Sequence, residues 1–330
     1  MPEKINKPRL APLWGLRALK AQREQDNDQL DPMMKAIKAV HSAVRPDSNA
    51  PEDLARQRAG QELLGRLVSP GIGTRYEGFC IPSAAGGIPA EWVMPDHGHD
   101  RRHVILYCHG GGYTCGQLCY ARILAAKLAN AYGGDVLSFE YRLAPEHPFP
   151  AAPDDAQTVW DWLMYQGYGA RDVIVAGDSA GGNLALELAL RLKSQGRRGP
   201  RALVLMSPWT DMTASGRSYA ENIAIDPLLT MDYIAGVRTA YAGGDADYAA
   251  PELSPLFADL RGLPPTLIQV GTHEILRSDS DQLYKKMLHQ GVFATLEVYT
   301  DCWHVFQQMP IKKAAQAIES AGRFLQREFS

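Results

Sequence analysis

The stretch Val173-Ile-Val-Ala-Gly-Asp-Ser179-Ala-Gly-Gly-Asn183 constrains this chain more than any other. It reads as an apolar run, a tight turn and the start of a long helical pattern. Within it, Gly177-Asp-Ser179-Ala-Gly181 spells G-x-S-x-G, the sequence of a sharp strand-to-helix turn that holds a serine hydroxyl clear of a sheet. A side chain at 177 or 181 would collide with the neighbouring strand or helix where the chain reverses. The helix that follows would aim its free N–H groups at negative charge forming beside Ser179. A lone G-x-S-x-G is weak evidence, because its residues are common. The apolar run before it and the helical pattern after it supply the context the motif requires.

The surrounding pattern fits such a turn. From Thr74 the apolar period moves toward two, and segments 75–81 and 88–94 flank Ser83-Ala-Ala-Gly-Gly87, which predicts an antiparallel hairpin. Strands and helices then alternate. Strands are expected at 103–108, 136–141, 173–176, 202–206, 266–270 and 294–299. Helices are expected at 120–132, 153–165, 180–194, 279–290 and 311–328. This alternation predicts a mostly parallel sheet with helices on both faces. The segment 208–262 interrupts it, with Trp209, Met212, Tyr219, Tyr233 and Tyr241 among polar residues. A helical insertion over the carboxyl edge of the sheet suits that composition, and pockets of open α/β sheets lie at that edge.

Residues 1–70 differ from the rest, being charge-rich and helical in pattern. Leu13, Trp14, Leu16 and Leu19 form one apolar stripe; a second helix is expected from Pro32 to Val44, and a third from Pro51 to Leu67, with Pro51 in its first turn. The polar faces carry acids as well as bases, which favours packing on the protein itself over a membrane surface.

At 330 residues the chain can form one large α/β domain with an accessory piece, or two domains. A net charge of −3 gives no reason to expect nucleic acid or an anionic membrane as partner. The cysteines, Cys80, Cys108, Cys115, Cys119 and Cys302, are odd in number and form no C-x-x-C pair. Neither a disulfide framework nor a zinc ribbon is therefore expected. Free thiols, no apolar run of membrane-spanning length and a start without a secretory core lead to an expected cytoplasmic location.

A second informative stretch, His109-Gly-Gly-Gly112-Tyr-Thr-Cys-Gly116, follows the first expected parallel strand. Consecutive glycines let backbone N–H groups turn inward on a ligand. A phosphate cradle would need a Gly-Lys-Ser/Thr or G-x-G-x-x-G continuation, which is absent. The other use of such a loop is an oxyanion hole, built by Gly111 and Gly112 together with Ala180, the residue after the serine.

A serine hydroxyl needs a base. His304 stands just past the last expected strand, late in the chain, in the order serine, acid, histidine. His97, His99 and His147 fall in turns and read as ordinary surface or core residues. The acid is expected in Gly271-Thr-His-Glu274-Ile-Leu-Arg-Ser-Asp279, where two carboxylates compete. Glu274 is preferred as the partner of His304, with Asp279 expected to cap helix 279–290.

At this point the sequence resembles the hormone-sensitive-lipase family of carboxylesterases in the α/β-hydrolase superfold. The matching pieces are His109-Gly-Gly-Gly112 with Gly116, Tyr141-Arg-Leu-Ala-Pro-Glu146 with Phe149-Pro-Ala and Asp154-Asp155, Gly177-Asp-Ser-Ala-Gly-Gly182, Ser254-Pro-Leu256 and His304-Val-Phe306. They run in family order from about residue 75 to the C-terminus. The resemblance implies an eight-stranded, mostly parallel sheet flanked by helices. It also implies a catalytic domain over 71–330 and a helical cap made from 1–70 and 208–245. Ser179 would be the nucleophile and His304 the base. Many members carry aspartate in an Asp-Pro-Leu sequence at the acid position, whereas here Glu274-Ile-Leu aligns with it. Tyr113, Asp178 and the cap aromatics are pocket candidates by position.

The expected activity is hydrolysis of short- to medium-chain carboxylic esters, small molecules taken without a metal or organic cofactor. The same residues could serve lactones, amides or carbamates. Plant hormone receptors similar to this family keep the pocket but lack the histidine, so the presence of His304 argues against a pure receptor. Family members are often dimers, and a homodimer is admitted as a partner state.

Overall fold

Apolar side chains alternate along each central strand, and that alternation builds the two-faced sheet at the centre of the protein. In chain order the strands are β1 (Thr74–Ile81), β2 (Ile88–Pro95), β3 (Asp100–Cys108), β4 (Gly134–Phe139), β5 (Val173–Asp178), β6 (Leu203–Met206), β7 (Thr266–Gly271) and β8 (Ala294–Tyr299). They form one eight-stranded sheet in the order β1-β2-β4-β3-β5-β6-β7-β8. The first three in that order pair antiparallel, and every later pairing is parallel. The structure, a computed structural model, describes residues 51–68, 73–97 and 100–330, together with Pro32 and Ala36. The stripe from Leu13 to Leu19 and His99 lie outside the described residues, as does most of the expected helix 32–44.

The helices are α1 (Pro51–Val68), α2 (Leu118–Tyr132), α3 (Ala151–Tyr165), α4 (Ala180–Ser194), α5 (Ser218–Glu221), α6 (Met231–Ala242), α7 (Arg277–His289) and α8 (Lys312–Phe329). Val104, Leu106, Val173, Val175, Leu203, Leu205 and Ile268 face one side of the sheet, where α3, α4 and α7 pack. Their neighbours Ile105, Tyr107, Ile174, Ala176, Val204, Met206 and Leu267 face the other side, under α2 and α8. β5, β6 and β7 are buried along their whole length, so their sequences are mostly apolar, with Asp178, Thr266 and Gln269 the buried polar exceptions. β1, at one edge, is largely exposed and carries Arg75 and Glu77, charges that discourage further strand pairing.

The strand expected at 136–141 runs instead from Gly134 to Phe139. Beyond it Tyr141 is buried and donates its hydroxyl to His109 O at 2.7 Å, tying this connection to the glycine loop after β3.

The chain between β6 and β7 carries α5, α6 and a 3₁₀ turn at Pro255–Phe257. The Asn222 amide donates to Thr272 O at 3.1 Å and to Glu274 O at 2.9 Å, and Asp226 Oδ2 accepts from Ile275 N at 2.8 Å. The insertion is thereby fastened to the loop at the carboxyl end of β7. α1 reaches the same edge of the sheet: Arg58 Nε donates to Thr114 O at 2.8 Å, and Arg58 holds Glu146 with two bonds of 2.8 Å. Among the described residues no helix is long and apolar enough to cross a membrane.

Candidate active site

Ser179 joins β5 to α4 with φ +54° and ψ −121°, a backbone conformation that a residue with a side chain adopts only under strain. The flanking glycines make the turn sterically feasible. A Cβ on Gly177 would overlap Gly181 O, and a Cβ on Gly181 would overlap Cys108 O and His109 O. The turn is pinned by Ser179 N donating to Met206 O at 3.0 Å and by Ser179 O accepting from Gly182 N and Asn183 N.

His304 follows β8, and its Nε2 stands 2.9 Å from Ser179 Oγ across 125 positions of sequence. Its Nδ1 stands 3.0 Å from Glu274 Oε2. A carboxylate can only accept, so the Nδ1 proton is held toward Glu274 and the Nε2 lone pair is left facing the serine hydroxyl. Glu274 is wholly buried, and its Oε1 accepts from Gly271 N at 2.6 Å and from Ser207 Oγ at 2.9 Å. Three donors therefore satisfy a carboxylate that would otherwise be costly to bury.

The glycine loop after β3 turns with φ +120° at Gly111 and +61° at Gly112. It closes through Thr114 N and Cys115 N, which donate to Gly111 O at 3.1 and 3.0 Å. Among the described residues, none accepts a hydrogen bond from the N–H of Gly111, Gly112 or Ala180. Close packing fixes the loop from above: a Cβ on Gly112 would lie 2.9 Å from Tyr233 Oη and 3.1 Å from Val237 Cγ1, both on α6.

Two expected pocket residues are committed to structure instead. The Tyr113 ring is fully buried, stacks on Tyr241 with centroids 3.8 Å apart, and donates its hydroxyl to Asn183 Oδ1 at 2.8 Å. Asp178 is buried too, with Oδ1 accepting from the Tyr107 hydroxyl and from Gly110 N at 3.0 Å. Asp178 thus holds Gly110 of the glycine loop, and Tyr113 ties the loop to Asn183 of α4. Burial raises the Asp178 carboxyl to about 6 against those hydrogen bonds. His109, stacked on Tyr141 with its Nδ1 donating to Gly110 O at 2.8 Å, is lowered by burial to about 4.

Asp279 also departs from expectation. α7 begins at Arg277, so Asp279 lies inside the helix and caps nothing there. Its Oδ2 accepts from Thr210 N at 2.8 Å and Asp211 N at 2.9 Å, anchoring the chain that leaves β6. A lone Asp near a helix start is ambiguous in sequence, because either its own helix or a distant loop can claim it. Sequence reasoning also passed over Ser207, Asn222 and Arg58. Only Ser207 carried a signal, its position at the carboxyl end of a buried strand. His97 and His147 are exposed. Among the described residues, no three His, Cys, Asp or Glu side chains cluster as metal ligands.

A parallel sheet, a serine on a strained turn after its fifth strand and a histidine after its last strand together define an α/β hydrolase. A family model described as alpha/beta hydrolase fold matches residues 105–308. The chain is 40% identical over 223 residues to an esterase of Acinetobacter venetianus, covering 67% of this chain and 74% of that protein. It is 37% identical over 277 residues to an acetyl-hydrolase of Streptomyces hygroscopicus, covering 83% and 89% respectively. The crystal structure of an esterase from the bacterial hormone-sensitive lipase family superposes with a TM-score of 0.83 at 35% identity, over 92% of this chain and 99% of that one. The chain belongs to the α/β-hydrolase fold family, in its hormone-sensitive-lipase group.

Proposed function

We propose that the protein is a serine carboxylesterase that hydrolyses short- to medium-chain carboxylic esters through an acyl-serine intermediate. The observation that carries this reading is the unbroken line of contacts from Ser179 Oγ through both ring nitrogens of His304 to Glu274 Oε2, at 2.9 and 3.0 Å. Ser179 attacks the ester carbonyl carbon while His304 Nε2 takes its proton. Glu274 stabilises the imidazolium that forms and keeps the ring in the tautomer that accepts. The N–H groups of Gly111, Gly112 and Ala180 receive the negative oxygen of the tetrahedral intermediate, with the N-terminus of α4 adding its dipole. The imidazolium returns its proton to the departing alcohol, and water, activated by the same ring, releases the acid and regenerates Ser179.

In this reading α1 and residues 208–245 form a cap over the carboxyl edge. The Arg58 bonds and the packing of Tyr233 and Val237 on Gly112 support that division. The relatives named esterase and acetyl-hydrolase support esters as the substrate class. The test is a panel of p-nitrophenyl esters of rising acyl length, assayed with the parent protein and Ser179→Ala, alongside labelling by a fluorophosphonate. Turnover and labelling by the parent and neither by the variant are expected. Undiminished turnover by Ser179→Ala would remove the mechanism.

A further inference from the structure

We propose that Ser207 is a positioning residue for this reaction, one hydroxyl that sets the orientation of Glu274 and the backbone of the histidine loop together. It follows β6, which pairs with β5, the strand before Ser179, and with β7, the strand before Glu274. Its own N–H donates to Gln269 O of β7 at 2.7 Å, and its side chain is fully buried. The Oγ donates to Glu274 Oε1 at 2.9 Å and accepts from Val305 N, next to His304, at 3.2 Å.

A hydroxyl has one proton to give. The amide of Val305 can only donate and the carboxylate can only accept, so the direction of both bonds is fixed. Glu274 Oε1 is thus saturated by Ser207 Oγ and Gly271 N, and Oε2 is left for His304 Nδ1. Without the hydroxyl, Oε1 keeps one donor and the carboxylate gains freedom to rotate about its last bond. Val305 N loses its acceptor at the same moment, so the histidine loop slackens where the acid does. Ser207 holds this place at φ +46°, a backbone region that glycine occupies with less strain. A serine kept where glycine fits better points to a use for its hydroxyl.

The inference rests on the esterase reading, and glycine at this position separates the hydroxyl from the backbone. The parent, Ser207→Ala and Ser207→Gly are compared by kcat and KM on p-nitrophenyl butyrate, by thermal melting, and by the far-downfield proton NMR signal of an imidazole N–H bound to a carboxylate. Losing a hydrogen bond to a charged group predicts a kcat about tenfold to a hundredfold lower, with KM within about twofold of the parent. Ser207→Gly is expected to melt no lower than Ser207→Ala, and the downfield signal to shift or vanish in both. A kcat within twofold of the parent in Ser207→Gly, or a loss that follows lowered stability with the signal unmoved, overturns the proposal. A parent inactive on esters defeats the esterase reading instead, and the NMR comparison then still decides whether Ser207 orients the Glu274–His304 pair.

Discussion

Glu274, in the connection after β7, and Asp279, in the first turn of α7, have different partners: Glu274 Oε2 meets His304 Nδ1 at 3.0 Å, and Asp279 Oδ2 takes the backbone N–H of Thr210 at 2.8 Å. The two carboxylates should separate catalysis from stability. In the proposed mechanism, Glu274→Gln retains size but loses the charge that would stabilise the imidazolium and can present an N–H to the ring, favouring the wrong tautomer. By analogy with other triads, kcat should fall by about 10³ to 10⁴ with a melting temperature close to the parent's. Asp279→Ala leaves the N–H groups of Thr210 and Asp211 buried without an acceptor. It should cost about 2–3 kcal/mol of stability and less activity than the Glu274 variant. Urea unfolding and ester kinetics on both variants check the pair, and comparable losses of kcat, or the reverse order, would overturn the assignment of Glu274 as the acid.

The backbone at Ser179, φ +54° and ψ −121°, suits glycine better than any residue with a Cβ. Ser179→Ala and Ser179→Gly should both be inactive, yet differ in stability. Alanine keeps the strained conformation, while glycine relieves it, so Ser179→Gly should be the more stable by about 1 kcal/mol or more. Equal stability of the two variants would mean that the turn stores no strain at this residue.

The sheet was legible because its central strands are buried on both faces, which forces apolar runs such as Val173–Ala176 and Leu203–Met206. Ser179, Glu274 and His304 were legible because each follows a strand at the carboxyl edge, so sequence position alone brought them together. Asp178 and Tyr113 have a structural task that their sequence positions did not reveal. Proximity to a reactive residue does not say whether a side chain turns to solvent or into the core, and both turn inward to hold Gly110 and Asn183. Arg58 was invisible for a different reason: two of its partners, Thr114 O and Ala144 O, are backbone groups in loops, which leave no residue-specific trace in sequence.

His109 and Asp178, both within reach of Gly110, should oppose each other in acid. His109 titrates at about 4 when folded and near 6.5 when unfolded. Between those values the unfolded chain holds the extra proton, so stability rises with pH; the contribution is complete above 6.5 and lost below 4. Asp178 titrates at about 6 when folded against an ordinary 3.8. Between those values the folded chain holds the extra proton, so stability falls as pH rises. Each swing is about 3 kcal/mol and the signs differ, so the two nearly cancel in the parent. Asp178→Asn retains an oxygen acceptor for Gly110 N and the Tyr107 hydroxyl. Relative to the parent it should gain stability as pH rises from 4 to 6, while His109→Gln should lose stability over the same range. Urea midpoints at several pH values check both, and parallel curves for the two variants would show that neither group titrates in this window.

Arg58 ties α1 to the loop that carries Gly111 and Gly112, and the ion pair is the smaller part of that tie. Glu146 is about half exposed, with 53% of its side chain accessible, so solvent screens its attraction to the guanidinium. Glu146→Gln should therefore cost less than about 1 kcal/mol and lose its effect in high salt. Arg58 also donates to Thr114 O at 2.8 Å and Ala144 O at 2.9 Å, in part-buried positions where water replaces it poorly. Arg58→Met keeps much of the aliphatic stem but removes every donor, which should cost about 1–3 kcal/mol with little dependence on salt. Because Thr114 N closes the turn on Gly111 O at 3.1 Å, slackening Thr114 should also blur the Gly111 and Gly112 N–H groups that the proposed mechanism assigns to the oxyanion. Arg58→Met should then lower kcat more than Glu146→Gln does, at low and high salt alike. Equal kcat for the two variants would reduce Arg58 to a surface ion pair and detach α1 from the chemistry.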